Sequence, residues 1–402
     1  MSHRYDAIVI GSGICGTSLA FHLSRRGAER VLVLEQGALC SGTTSHAPGL
    51  AGQLRADLAL MRILRESIGV YAESGGGGYQ AVGSLRLASS PARLRELERQ
   101  KIAADEAGLG NALLSTAEAQ SRFPLLDPTG VEGALWIPSD GSADAVALTT
   151  SLRHHAESLD VEFCAGLRVT GLPPGVVEIG AERLEAPVIV LATGIWSGPL
   201  ARLAGVHLPV VPMQHQVVWT EELDILDADN PLPNLRDPDH LVYFRQDGRR
   251  FVLGGYERSP RPLDPALIGA GPNPSVRSFD AAHFAPLLAG GQARVPLFRE
   301  PAAPFSRTLN GLESFTPDGH FLLGRFPQRP DLWAACGFCA HGVSGSGGVG
   351  KYVADWITDG APPFPADHMD VSRYQAQPLS FAEAAEAVCG IYSTYYDIDR
   401  SV

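Results

Sequence analysis

Three glycines near the N-terminus, in Gly11-Ser-Gly13-Ile-Cys-Gly16, leave few folds open to this chain. The apolar run Ala7-Ile-Val-Ile10 before them reads as a short buried strand. An apolar-periodic helix follows through Leu19, Ala20 and Leu23 to Gly27, and then a second buried strand, Val31-Leu-Val-Leu34, is closed by Glu35. Strand, glycine turn, helix, strand and acid within about thirty residues make the βαβ unit of a dinucleotide site. Gly11 permits the tight turn, Gly13 lets the backbone approach a pyrophosphate, and Gly16 allows close contact between helix and strand. The helix N-terminus offers free N–H groups and partial positive charge to the phosphates. Glu35 is placed to accept from both hydroxyls of an adenosine ribose and repels a 2′-phosphate. The fingerprint by itself suits NAD or FAD.

A chain of 402 residues exceeds one ordinary compact core and suits two intertwined domains. Helices are expected near Leu58 to Tyr71, Pro91 to Gly108 and Asp144 to Ser158, with a hinge-like run at Gly75 to Gly78 and a strand over Gly83 to Ala88. Val188-Ile-Val-Leu-Ala-Thr-Gly194 is again a buried strand ending in glycine, which returns the chain to the cofactor domain and brings Thr193 and Gly194 to the cofactor. From Pro209 to about Gly324, scattered strands such as Gln216 to Thr220 and Phe251 to Gly254 alternate with prolines, the pattern of a separate antiparallel sheet. A strand over Leu332 to Ala335, a glycine-rich loop over Ala340 to Gly350 and a helix from about Gly348 to Ile357 make a second return. The expected fold is α/β: a Rossmann-like dinucleotide-binding domain assembled from 1–80, 145–205 and 325–365. An α+β substrate domain with a mainly antiparallel sheet takes 81–144 and 206–324, and 366–402 is a C-terminal extension.

The net charge of −12, with Lys and Arg scattered rather than gathered into a stripe, argues against nucleic acid as a partner. No window approaches a membrane span and the first residues carry no targeting pattern, so a cytoplasmic protein is expected. Of six cysteines, only Cys336 and Cys339 have a suggestive spacing. A redox dithiol of that spacing works at a helix N-terminus after a strand, whereas Leu332-Trp-Ala-Ala-Cys336 reads as the strand itself; both are taken as buried or loop thiols. No metal site is read from the sequence.

The stretch Gly37-Ala-Leu-Cys-Ser-Gly-Thr-Thr-Ser-His46-Ala-Pro-Gly-Leu-Ala-Gly-Gln-Leu-Arg55 resembles the dimethylglycine and sarcosine dehydrogenase family, within the D-amino-acid-oxidase-type flavoproteins. The resemblance continues through Pro212-Met-Gln-His215-Gln, Tyr243-Phe-Arg, Gly254-Gly-Tyr-Glu257, Thr316-Pro-Asp-Gly319 and Gly337-Phe with the loop to Gly350, nearly the whole chain. It implies FAD as cofactor, with Ser41, Thr43, Thr44, Gly49 and Leu50 in the flavin loop and His46 joined covalently to the flavin 8α-methyl group. A neutral imidazole nitrogen suits that attack. Ser45 and Pro48 depart from the family's usual residues in this segment. More distant relatives attach flavin through a cysteine at the position of Gly311, a linkage closed to this chain, and hold a substrate carboxylate with a lysine where Ser344 stands, Lys351 lying further on.

The glycine-rich loop, with Gly342, Ser344, Gly345, Gly347 and Gly348, leads into a helix whose N-terminus would stabilise negative charge on the flavin ring. By resemblance His215 and Tyr243 flank the substrate, His215 titrating near neutrality to keep the amine deprotonated and Tyr243 orienting it. Arg55, Tyr256 and His341 are further expected substrate contacts. The implied reaction is oxidation of the C–N bond of a secondary or tertiary N-methyl amine or amino acid. A hydride passes to flavin N5, and the imine hydrolyses to aldehyde and amine. Oxygen or an electron-transfer protein is the acceptor. Gly390 to Arg400 resembles the junction to the folate-binding domains of larger dimethylglycine enzymes, so release of formaldehyde, or an imine used by another protein, is expected. The alternatives are a flavoprotein subunit of a hetero-oligomeric amine dehydrogenase, a flavin-bound scaffold without turnover and, more remotely, an NAD-dependent dehydrogenase.

Overall fold

Ala7–Ile10 and Val31–Leu34 are buried at every position, and the alternation of a strand sends successive side chains to opposite faces. Ala7 and Val9 therefore pack with the helices Ile14–Arg25 and Gly342–Asp359 through Leu19, Val349 and Val353, while Ile8 and Ile10 pack on the other side with Val177, Leu184 and Ala201. A sheet covered on both faces explains why these strands are unbroken apolar runs. In this computed structural model, which describes residues 4–74, 77–269, 274–299 and 305–398, the sheet has six strands. Their order is Leu322–Phe326, Arg329–Cys336, Val188–Leu191, Ala7–Ile10, Val31–Leu34 and Glu162–Cys164. All pairings are parallel except the outer hairpin of the first two. The return to this sheet thus begins at Leu322, just before the expected 325. Gly75 and Gly76 of the expected hinge lie outside the described residues.

A second sheet has nine strands, and its centre carries the site. Phe305–Phe315, Val211–Thr220, Arg250–Gly255, Val242–Asp247 and Asn234–Asp237 lie side by side, all antiparallel, and Asn234–Asp237 then pairs in parallel with Ser84–Ala88. The expected helices form as Leu58–Glu73, Pro91–Glu106 and Ala145–Glu157, with Asp57, Ser90 and Asp144 accepting backbone N–H bonds at their N-caps. Among the described residues no helix is long and apolar enough to cross a membrane.

One expectation is corrected. The stretch read as a loop over Ala340 to Gly350 is helical from Gly342 onward. Its glycines serve close packing: a Cβ at Gly348 would fall 2.0 Å from Ile63 O, in the neighbouring helix Leu58–Glu73. The expected C-terminal extension is described over 366–398. Its helix Phe381–Ser393, opened by a Ser380/Glu383 capping box, packs Val388 and Tyr392 into one cluster with Val211, Met213, Tyr243 and Phe315 of the second sheet.

Candidate active site

Gly11 takes φ +108°, and a Cβ there would lie 2.4 Å from Ala192 O, so only glycine lets the first strand turn into the helix this close to its neighbour. Gly16 packs against Gly11 O and the Ala192 methyl, the close helix-to-strand contact expected of the third glycine. Gly13 caps the helix without a side-chain bond, and Ile14 N donates to Thr44 Oγ1 at 3.2 Å. Glu35 accepts from Ser12 N and Ser12 Oγ at Oε2 and from Gly37 N at Oε1, all at 3.0 Å. Gly11, Gly13 and Glu35 open onto a cavity of about 960 Å³. That is the upper end of the range for ligand sites. If Glu35 holds the ribose of FAD as the sequence leads one to expect, Glu35→Ala weakens FAD about ten- to a hundredfold, the worth of charge-assisted hydrogen bonds. An unchanged dissociation constant by fluorescence titration would move the ribose elsewhere.

The same cavity is walled by Ser41, Thr43, Thr44, Gly49 and Leu50, and opposite them by Thr193 and Gly194. The single-turn helix Thr43–His46 is tied to the second sheet by Thr43 Oγ1 donating to Leu312 O at 2.8 Å. This carries His46 onto Gly311, where an added Cβ would sit 2.4 Å from His46 Cδ2 and 2.7 Å from Nε2. The absent side chain of Gly311 is the space the imidazole fills. Burial lowers His46 to about 4, which leaves the ring neutral; His46 lines the cavity, and its Nε2 is buried without a hydrogen-bond partner.

At the far end the cavity is lined by His215, Tyr243, Tyr256, Arg236, Glu313 and Tyr395. His215 stands opposite Gly311 on Val211–Thr220, and Tyr243 lies two strands away. A Cβ at the intervening Gly254 would fall 2.3 Å from the Tyr243 hydroxyl, so the glycine clears the path by which Tyr243 Oη reaches His215 Nε2 at 2.8 Å. His215 Nδ1 lies 2.9 Å from Tyr392 Oη. Burial, with His46 beside it, pushes His215 down to about 3, below the neutral range expected for it from the sequence. A fully dehydrated imidazolium has no anion here to compensate it. Glu313 Oε2 is buried without a partner, and burial, with Glu257 nearby, raises its carboxyl to about 8. Tyr256 stacks on Tyr395 at 3.9 Å between ring centres.

Several expected residues lie elsewhere. Of the glycine-rich set only Gly342 lines the cavity, together with Val343 and Ser346 at the helix start; Ser344, Gly345, Gly347 and Gly348 do not. Gly345 faces Phe321 and Leu64, Gly347 faces Tyr71 and Ser67, and Ser344 Oγ bonds His341 O. Arg55 and His341 are not on the cavity wall but on each other, with Arg55 Nε donating to His341 Nε2 at 3.1 Å. Burial, with Arg55 close by, holds His341 well below its usual range. Lys351 pairs with Glu66 at 3.2 Å and Asp355 at 3.0 Å. Cys336 and Cys339 are free, and burial pushes both thiols up to about 12, which leaves no reactive thiolate. Away from the cavity, Asp57, His320 and His368 bring three ligand atoms within 4.8 Å of one another, a group able to hold a metal ion that the sequence reading did not anticipate.

Sequence reasoning missed Arg236, Glu313, Tyr392 and Tyr395. Glu313 left one signal, a carboxylate between Leu312 and Ser314-Phe315 in a strand-like segment. The two tyrosines sit in the segment set aside as an extension.

Residues 6–356 match the DAO family, described as FAD dependent oxidoreductase. The chain is 33% identical over 381 residues to the 4-methylaminobutanoate oxidase (formaldehyde-forming) of Paenarthrobacter nicotinovorans, covering 91% of this chain and 45% of that protein. It is 31% identical over 389 residues to the mitochondrial sarcosine dehydrogenase of Mus musculus, covering 92% and 41%. The chain therefore spans less than half the length of these relatives. Among solved structures, the L-proline dehydrogenase from P. horikoshii shares the fold with a TM-score of 0.84 at 23% identity, over 94% of this chain and 100% of that one.

Proposed function

Because the chain belongs to the DAO family of FAD-dependent oxidoreductases, we propose that it oxidises the C–N bond of a secondary or tertiary N-methyl amino acid. The residues present fit the cofactor: a glycine turn at Gly11 that a Cβ would drive into Ala192 O, an acid at the ribose position, and, among the residues that line the cavity, His46 with a buried, unpartnered Nε2. In this reading 1–80, 145–205 and 325–365 hold FAD and 81–144 with 206–324 cover the substrate. Glu35 binds the ribose, the segment from Ser41 to Leu50 with Thr193 and Gly194 surrounds the rest, and His46 carries the flavin covalently. When bound, FAD supplies the acceptor for the hydride that leaves the carbon beside nitrogen.

The observation that carries the substrate class is that Arg236, Tyr243 and Glu313, whose Oε2 is buried without a partner, line one cavity. Arg236 takes a substrate carboxylate: Arg55, Arg86 and Arg236 lie close to one another, with Asp140 near Arg55 and Arg236 and Glu96 near Arg86. Glu313 faces the substrate nitrogen. A cationic amine there favours the carboxylate form that burial disfavours. Tyr243, held by the neutral His215, orients the nitrogen, and the stacked Tyr256 and Tyr395 narrow the space around it. The imine product hydrolyses to an aldehyde and a shorter amine, and oxygen or an electron-transfer protein accepts the electrons. Anaerobic mixing of the FAD-loaded protein with sarcosine, dimethylglycine and 4-methylaminobutanoate is expected to bleach the flavin absorbance. Flavin that stays oxidised with every N-methyl amine tried would overturn the reading, and the rate of recovery on admitting air separates an oxidase from a dehydrogenase.

A further inference from the structure

We infer that Tyr243, His215, Tyr392, Glu257 and His283 form a proton exit, leading from the substrate cavity through the second sheet to the surface helix Ala281–Arg294. The inference rests on the amine-oxidation reading for its substrate, but the chain of contacts stands by itself. Tyr243 Oη lies 2.8 Å from His215 Nε2, His215 Nδ1 lies 2.9 Å from Tyr392 Oη, Tyr392 Oη donates to Glu257 Oε2 at 3.2 Å, and Glu257 Oε1 lies 2.8 Å from His283 Nε2. Tyr243 is on the cavity wall, while Tyr392, Glu257 and His283 are not. His283 stands in the first turn of its helix, its side chain 9% exposed, beside the exposed Ala281 and Ala282.

The donors can be ordered from one end. Tyr392 gives its only proton to the Glu257 carboxylate, so its oxygen must accept from His215, which places the His215 proton on Nδ1. His215 Nε2 is then bare and accepts from the Tyr243 hydroxyl. Every donor points outward, toward Glu257.

The proton balance closes. An ammonium substrate gives one proton to Tyr243 Oη, whose own proton goes to His215 Nε2. The Nδ1 proton of His215 goes to Tyr392, and that of Tyr392 to Glu257 Oε2. Each group between the ends keeps the number of protons it began with, and the pair Glu257/His283 gains one for release to solvent. No electron moves along the chain.

The groups facing each member suit this role. His215 is faced by His46, Tyr243, Tyr256 and Tyr392, none of them anionic, so it stays neutral and passes a proton by exchanging tautomers. Glu257 is faced by His283, Tyr392 and Glu313, and burial raises its carboxyl, which makes it a better proton acceptor than an ordinary carboxylate. Asp280 next to His283 is engaged with Arg261 at 2.8 Å and with His283 N, and leaves the imidazole to Glu257. Glu313 also lines the cavity, and it is the competing acceptor for the substrate proton.

Two measurements on the FAD-loaded protein test the chain. Nitrogen NMR of ¹⁵N-histidine-labelled protein is expected to show His215 neutral and protonated at Nδ1; an Nε2-protonated or cationic His215 would overturn the outward relay whatever the substrate. Anaerobic flavin reduction by sarcosine is then followed from about pH 6 to about pH 10, across the range in which an alkyl ammonium titrates. Tyr392→Phe and Glu257→Gln are expected to slow reduction about tenfold or more at the acid end, where substrate arrives protonated. Both should converge on the wild type at the alkaline end, where it arrives neutral. A loss of equal size at all pH values would assign both residues to packing. A normal profile in both variants with an altered one in Glu313→Gln would make Glu313 the acceptor, and so would sink the exit path. Failure of every amine to reduce the wild type strikes the proposed function instead, and the NMR result still decides the chain.

Discussion

Gly311→Ala is expected to slow the joining of FAD to His46 by about a hundredfold, the scale of a 1 Å misplacement of a reacting group. The added methyl would lie 2.4 Å from His46 Cδ2, and the imidazole must give way because Gly311 is strand backbone, paired with His215 across the sheet. In the wild-type protein, acid precipitation should leave the flavin colour in the pellet and raise the intact mass by one FAD. The variant should lose both signals while still binding FAD reversibly, since Gly11, Gly13 and Glu35 lie on other elements. His46→Ala sets the baseline for no linkage. A wild-type mass equal to that of the bare polypeptide would refute covalent attachment. Full attachment in Gly311→Ala would show instead that the contact between glycine and imidazole does not control it.

Arg294→Met is expected to destabilise the fold by about 3–5 kcal/mol, the range for leaving one member of a buried ion pair behind. Arg294 and Asp237 are 2% and 0% exposed, with Nε at 2.6 Å from Oδ2. The guanidinium also donates to Asp127 O, Thr129 O and Ser89 Oγ, so it joins its helix to three other segments, one of them the strand that carries Arg236. The sulfur-containing side chain replaces volume but none of those bonds. The defect should grow with pH. His240 Nδ1 is 2.8 Å from the same Asp237 oxygen, and its hydrogen bond to Asp237 raises its pKa. A histidine raised in the folded state stabilises fully below its unfolded pKa, about 6.5, and that contribution is lost as pH rises through the folded value. With Arg294 gone, His240 is the cation left for Asp237, so urea midpoints should fall further behind wild type above neutrality than below it. A variant within about 1 kcal/mol of wild type at all pH values would contradict the pair's role.

What the sequence determined alone was whatever short-range pattern encodes. Ala7 to Glu35 is read correctly because a strand, a turn and an amphipathic helix each repeat over a few residues, and because Gly11 and Gly16 are demanded by contacts within the same unit or with its immediate strand neighbour. Gln216 to Thr220 and Phe251 to Gly254 were legible for the same reason, as parts of the strands Val211–Thr220 and Arg250–Gly255. The folded chain alone decided the rest. The glycines after Gly342 look like a loop by composition, and only the approach of helix Leu58–Glu73 turns them into helix-packing positions. His215 and Tyr392 are 177 residues apart, and Tyr392 and Glu257 are 135 apart, so no local period signals that they share hydrogen bonds. The protonation of His46, His215 and Glu313 depends on how much water the fold removes from them. Dehydration is a property of the surroundings assembled in three dimensions, and a residue's neighbours in the chain do not carry it.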